Sequence, residues 1–186
     1  NEDIRKLFFM PSKIRLYFSG KIQSDLTSHL TKDQMHYIKD VMRLKIGDRL
    51  SVFNTQGEWN AIIEAYEKNG ARIKILKKIR DRDNEKNIWL AFSPIKQNPL
   101  NFVIQKGTEL GVQRFVPILS ERTVVRKINI ERIKKIIVEA SEQSNRITNP
   151  EINKPESLKN FLSTFPKNGR MIFCDINSDQ KNLKDI

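Results

Sequence analysis

Arg80-Asp81-Arg82-Asp83-Asn84-Glu85-Lys86-Asn87 contains no apolar residue and mixes both signs of charge. A stretch that can bury nothing reads as a linker between two compact units, so residues 80–87 mark a boundary. Upstream, residues 14–79 read as a small β-rich unit. Ile14–Phe18 is a first strand, Arg49–Asn54 and Glu58–Tyr66 flank a Gln56-Gly57 turn, and Asn69-Gly70 is a two-residue hairpin signal before Ala71–Ile79. Thr31-Lys32-Asp33-Gln34 matches a capping box and predicts a helix with Met35, Ile38 and Met42 on one face. A unit of this kind either binds RNA or props up its neighbour.

Downstream the pattern changes to alternating strands and helices. Strands are predicted over Ile88–Ser93 and Arg114–Leu119, and helices over Leu100–Leu110 and Ile130–Arg146. Leu158, Phe161, Leu162 and Phe165 mark a further short helix, and Met171–Cys174 a further buried strand. Alternation of this type predicts an α/β unit with a parallel sheet over residues 88–186. Its ligand is expected at the carboxyl ends of the strands, near Pro94, Ser120 and Asp175.

The 186 residues are 38% hydrophobic and 30% charged, enough for a real core. Thirty-four Lys and Arg against 22 Asp and Glu give a formal charge of +12, which attracts polyanions and makes nucleic acid the first partner to consider. One cysteine, Cys174, allows neither an internal disulfide nor a cysteine metal site. The chain starts without Met and without a signal peptide, and it lacks an apolar run of about 20 residues. A cytoplasmic location with no membrane association is expected. Leading residues are expected to have been trimmed or left out.

Candidate chemistry gathers at two places. On the Ile130–Arg146 helix, Ile130, Ile133, Ile137 and Ala140 form an apolar stripe, while Glu139, Glu142, Gln143 and Arg146 fall at i, i+3, i+4 and i+7 and are expected to share a side. This cluster either holds a base by hydrogen bonds or is a solvated, ion-paired face. The loop from Ser120 to Lys127 follows a buried strand and carries Arg122, Arg126 and Lys127, a set suited to phosphate contacts or to a basic surface. Glu109 closes a helix where the dipole disfavours a carboxylate, so a partner, an Arg, is expected. His29 and His36 are too few for a metal centre, and His36 is expected to pack or cap. No GxGxxG, P-loop, nucleophile elbow or HExxH pattern occurs, which counts against a small-molecule enzyme using a nucleotide.

Three linked motifs carry a resemblance. Gln105-Lys106-Gly107-Thr108-Glu109-Leu110-Gly111-Val112, then Pro117-Ile118-Leu119-Ser120-Glu121-Arg122, then Glu139-Ala140-Ser141-Glu142-Gln143-Ser144-Asn145-Arg146 with Pro150 resemble the RsmE family in order and spacing. His36, Arg43 and Gly47-Asp48 match the family's N-terminal pattern, so the likeness runs from about Ile14 to Asp175. The resemblance implies a PUA-like β-barrel followed by a SPOUT-type α/β domain with a trefoil knot. It implies methylation of N3 of a specific uridine in 16S ribosomal RNA of the small subunit, with S-adenosyl-L-methionine as cofactor, a homodimer and no metal. Arg122 or Arg146 would stabilise the uracil anion, Glu142 or Asp175 would accept a proton, and Asp175 would also face the cofactor. Arg43, Arg126, Lys127 and Gln143 would contact RNA. The family's Gly-Pro-Glu-Gly-Gly loop and Leu-Gly-x-Arg-x-Leu-Arg motif do not occur after Asp175, so the knot is expected to be incomplete and cofactor binding weak. A non-catalytic RNA-binding or ribosome-assembly protein is the alternative.

Overall fold

A computed structural model describes residues 14–82 and 85–174. The first half is a five-stranded sheet built from β1 (Arg15–Tyr17), β2 (Thr27–Leu30), β3 (Arg49–Asn54), β4 (Gly57–Glu67) and β5 (Gly70–Arg80). Its order is β1-β3-β4-β5-β2, with β1 parallel to β3 and the other pairs antiparallel. Irregular register at Glu58/Trp59, Trp59/Ala61 and Ile63/Ala65 marks bulges, which increase local twist. Twisted this way, the strands close on one apolar core that includes Leu16, Leu30, Leu50, Val52, Ile63 and Ile73. The strand β2 has no counterpart in the sequence reading. Only Leu30 of its four residues is buried, so the edge strand carries almost no apolar signal.

The capping box forms as expected: Thr31 Oγ1 accepts from Gln34 N–H, and the Gln34 side chain accepts from Thr31 N–H. The helix α1 (Lys32–His36) then widens into a π-type turn over Tyr37–Val41, closed by Met42 N–H donating to the Tyr37 carbonyl at 2.9 Å. The wider turn breaks the expected 3.6-residue face. Met35 and Ile38 meet the core, whereas Met42 rotates out to solvent.

In the second half, β6 (Trp89–Phe92), β7 (Arg114–Leu119) and the short β8 (Glu151–Ile152) run parallel, and β9 (Glu156–Ser157) pairs with the end of β7. Helices α2 (Gln97–Glu109) and α3 (Ile130–Gln143) cover one face of this sheet, packing Leu100, Ile104, Ile133 and Ile137 over Phe115. The short α4 (Leu158–Thr164) covers the other, with Phe161 against Val116 and Ile118. Alternation along β7 therefore feeds two apolar layers, as a buried parallel strand requires. Gly107 lets α2 approach closely, since a Cβ there would sit 2.7 Å from the Phe115 ring. One expectation fails. Met171–Cys174 forms no strand and Phe173 is 83% exposed; no strand among the described residues pairs with this run, and apolar character alone does not order it.

The two halves are joined by buried charge. Arg15 on β1 uses all five of its N–H donors: two go to Glu58, and three to the main-chain carbonyls of Ser141, Glu142 and Arg146 at 2.8–3.1 Å. Its guanidinium also lies 4.3 Å from the centre of the Phe53 ring. Arg80 reinforces the junction by donating to Glu58 and to the Asn145 carbonyl at 2.7 Å. Cations placed on the unpaired carbonyls of a helix end match its dipole as well as its hydrogen-bonding needs. Arg15→Ala is expected to cost about 3–5 kcal/mol in chemical denaturation, because it leaves the buried Glu58 carboxylate with Arg80 alone and strands three carbonyls. Arg15→Lys recovers only part of that, since an ammonium cannot span all five partners.

Candidate functional site

The carboxyl end of α3 faces β1 and α1 across a cleft of about 680 Å³. Tyr17 organises both walls through its backbone. Its N–H donates to Glu142 Oε1 at 2.8 Å, and its carbonyl accepts from Gln34 Nε2 at 2.8 Å. Tyr37, Lys134, Lys135, Glu139 and Gln143 complete the lining that matters for chemistry. Burial pushes the Glu142 carboxyl up to about 7, with the neighbouring Glu139 charge adding to the effect; the Tyr17 N–H and Arg15 pull it down. Glu142 is therefore close to half-protonated at neutral pH.

Arg146 is not part of this wall. The helix ends at Gln143, and Asn145 takes a left-handed conformation at φ 62° that turns the chain inward. Arg146 is then 6% exposed, and its five N–H donors are all used: two on Glu85, two on the carbonyls of Thr108 and Val112, and one on Thr148 Oγ1. The expected i, i+7 face stops at i+4. Arg146 instead ties the Thr108–Val112 motif to the end of α3 and to Glu85, whose charge the linker reading had left in solvent.

The loop after β7 is shaped by a local turn in which Thr123 Oγ1 accepts from Ser120 N–H at 2.8 Å and Thr123 N–H donates to the Ser120 carbonyl. Thr123 is buried, while Arg122, Arg126 and Lys127 are exposed at the carboxyl end of the sheet. None of these three cations lines the cleft that holds Glu142 and Gln143, so the two clusters form separate surfaces. Arg43 is exposed on the first half in a left-handed conformation, φ 57°. Asp175 lies outside the described residues. Glu109 does have a partner, but it is Lys106 at 2.7 Å rather than an Arg. His36 neither packs nor caps; its exposed ring sits 2.6 Å from Asp40. Among the described residues no group of three or more His, Cys, Asp and Glu side chains is placed to hold a metal.

Sequence reasoning missed Arg15, Glu58, Gln34 and Glu85. Arg15 and Glu58 sit inside otherwise apolar strand patterns, and a charge in such a place signals a buried partner.

Residues 30–76 match a family described as an RNA methyltransferase PUA domain, and residues 82–186 match one described as an RNA methyltransferase domain. The Ribosomal RNA small subunit methyltransferase E of Rickettsia conorii is 31% identical over 170 residues, covering 90% of this chain and 69% of that protein. The chain belongs to the ribosomal RNA small subunit methyltransferase E family. The enzyme of the same name from Buchnera aphidicola subsp. Schizaphis graminum is 31% identical, over 86% of this chain and 68% of its own length. Among solved structures, a putative methyltransferase from Legionella pneumophila, in complex with bound S-adenosylmethionine, superposes with a TM-score of 0.82 at 28% identity, over 93% of this chain and 74% of that one. The Neisseria gonorrhoeae methyltransferase E bound to the same cofactor gives 0.74 at 28% identity, over 83% and 66%. The family's PUA and methyltransferase halves thus correspond to the two sheets described above.

The raised Glu142 carboxyl makes a signed prediction. Its folded value lies above the unfolded value of 4.5, so the folded chain binds the extra proton and loses stability as pH rises from about 4.5 to 7. Glu142→Gln keeps an acceptor for Tyr17 N–H and removes that loss. Thermal melts at pH 5 and pH 8 should show the variant gaining on the parent chain at pH 8, and a constant difference would contradict the assignment.

Proposed function

We propose that this protein methylates N3 of a uridine in small-subunit ribosomal RNA, with residues 14–79 holding RNA, residues 80–87 as connection and residues 88–186 as the methyltransferase unit. The observation that supports this most is the match of both halves, in order, to an RNA methyltransferase and its PUA domain. S-adenosylmethionine supplies the methyl group when bound. At the carboxyl ends of β6 and β7, buried Pro94, Ser120 and the buried Thr123 form a largely uncharged rim, which fits one side of a seat for a cationic sulfonium. Glu121 and Arg122 are the charges that adjoin that rim in sequence.

The chemistry needs the N3 proton removed and the resulting uracil anion held in line with the methyl donor. Arg122, exposed and next to the sheet mouth, is assigned to the anion. Arg126, Lys127 and Arg43 are assigned to phosphates, where exposed cations displace counterions. Glu142 and Gln143 are assigned to RNA in the cleft. Arg146, with its donors already used, is assigned to positioning. A particle-bound substrate implies a cytoplasmic enzyme, and no described helix is long and apolar enough to cross a membrane. A homodimer belongs to the same reading, and sedimentation of the protein tests it.

The direct experiment is transfer of labelled methyl from S-adenosylmethionine to small ribosomal subunits that lack the modification, with the product nucleoside identified by mass. Methylated uridine is the expected product, and no incorporation, or label on another base, would overturn the reading. In the same assay Arg122→Ala should lower turnover about tenfold or more with an unchanged melting temperature. Arg146→Ala should instead lower the melting temperature, because it leaves Glu85 and two carbonyls without their donor.

A further inference from the structure

The cleft between α1 and α3 is assigned to RNA by the methylation reading, which does not say which part of the RNA its charge pattern fits. Its volume of about 680 Å³ falls within the range of roughly 300–1,000 Å³ typical of small-ligand sites. Its lining carries the carboxyls of the exposed Glu139 and of Glu142, one helical turn apart on α3, with Asp33 and Glu131 further along and the amides of Gln34 and Gln143 beside them. Lysines sit alongside: Lys134, paired with Glu131 at 2.8 Å, and the exposed Lys135. Tyr37 adds a ring that is 39% exposed. It belongs to the π-type turn, a feature that often accompanies function.

We propose that this cleft takes one unpaired guanine of the substrate RNA, with the flanking phosphates left on the lysine rim. The proposal rests on the RNA methyltransferase reading, and it adds a second base-recognition point apart from the methylated uridine. The carboxyls of Glu139 and Glu142 present acceptor oxygens, which suit a base edge rich in N–H groups better than an anionic phosphate. Guanine presents two adjacent donors, N1–H and the N2 amino group, beside the O6 acceptor. The donors suit Glu139 and Glu142, and O6 suits a glutamine amide. Adenine and cytosine offer one amino group next to an acceptor, and uracil offers one N–H flanked by two carbonyls that a carboxylate would repel. Unpaired bases splayed from RNA are commonly stacked on an aromatic ring and read on such an edge, and Tyr37 supplies the ring. Two of these groups are held before RNA arrives, since Tyr17 N–H fixes Glu142 and the Tyr17 carbonyl together with the capping box fixes Gln34. Preorganised acceptors lose little freedom on binding.

The test uses the full chain and four short single-stranded RNAs that differ only in a central G, A, C or U, with affinity read by fluorescence anisotropy at several salt concentrations. The guanine oligomer should bind about tenfold tighter than the others. Glu139→Gln and Glu142→Gln should each shrink that preference, and Lys135→Ala should weaken all four alike and reduce the salt slope by about one. Circular dichroism verifies that the near-isosteric Gln variants fold. Equal binding of the four RNAs, absence of binding at low salt, or a guanine preference that survives both Gln variants would each overturn the proposal. So would tighter binding of a lysine-rich peptide that displaces the guanine oligomer. Methyl transfer to small subunits measured on the same preparation separates the two readings: normal methylation without base preference sinks only the cleft assignment.

Discussion

The buried guanidinium of Arg15 makes three of the hydrogen bonds that hold the two halves in register. It is buried on the outer face of the first sheet, sandwiched between Phe53 and Glu58, and it donates to three carbonyls at the end of α3. Removing a charge from water costs several kcal/mol, so the arrangement is stable only because every donor is matched and Glu58 neutralises the charge. That requirement makes the junction all-or-none. A small rotation of one half against the other would leave buried donors or carbonyls unpaired, and each such loss costs about 1–3 kcal/mol. Arg146 repeats the same solution inside the second half, joining Glu85, the α2 carboxyl end and the segment after α3. Together the two arginines fix where α3 ends. The position of Glu142 and Gln143 follows from that.

Much of the architecture was legible in residues 14–79 and 88–165 because the signals there are local. Asn69-Gly70, the Thr31–Gln34 box and the strict boundaries of Arg49–Asn54 and Arg114–Leu119 each depend on neighbours within a few positions. The edge strand β2 was invisible because it pairs through its backbone and buries one side chain. Met171–Cys174 misled for the opposite reason: its apolar side chains imply burial, yet burial depends on a pairing strand that local sequence does not describe.

The site was harder to read than the fold, and the helix α3 shows why. Periodicity placed Glu139, Glu142, Gln143 and Arg146 together by assuming that the helix continues. Asn145 ends that assumption with one left-handed residue, sending Arg146 into the interior while Glu142 stays at the cleft. The family likeness identified these residues as a group without indicating that they divide into a recognition wall and an internal brace. Their long-range partners, Tyr17 and Glu85, lie 125 and 61 positions away, where no pattern rule reaches.

The junction also imposes a timetable on synthesis. Arg15 and Glu58 emerge from the ribosome early, but the carbonyls of Ser141 to Arg146 that complete their hydrogen bonding follow roughly 90 residues later, a delay on the order of 5–20 s at bacterial elongation rates. During that interval the first sheet can already be closed around its own core, with an unfinished polar pair and the Phe53 ring presented to solvent. A half-made chain therefore carries a sticky, partly charged patch on a folded surface. Docking of α3 is the last step that hides it, so the enzyme's two halves mature together although only one of them had to wait.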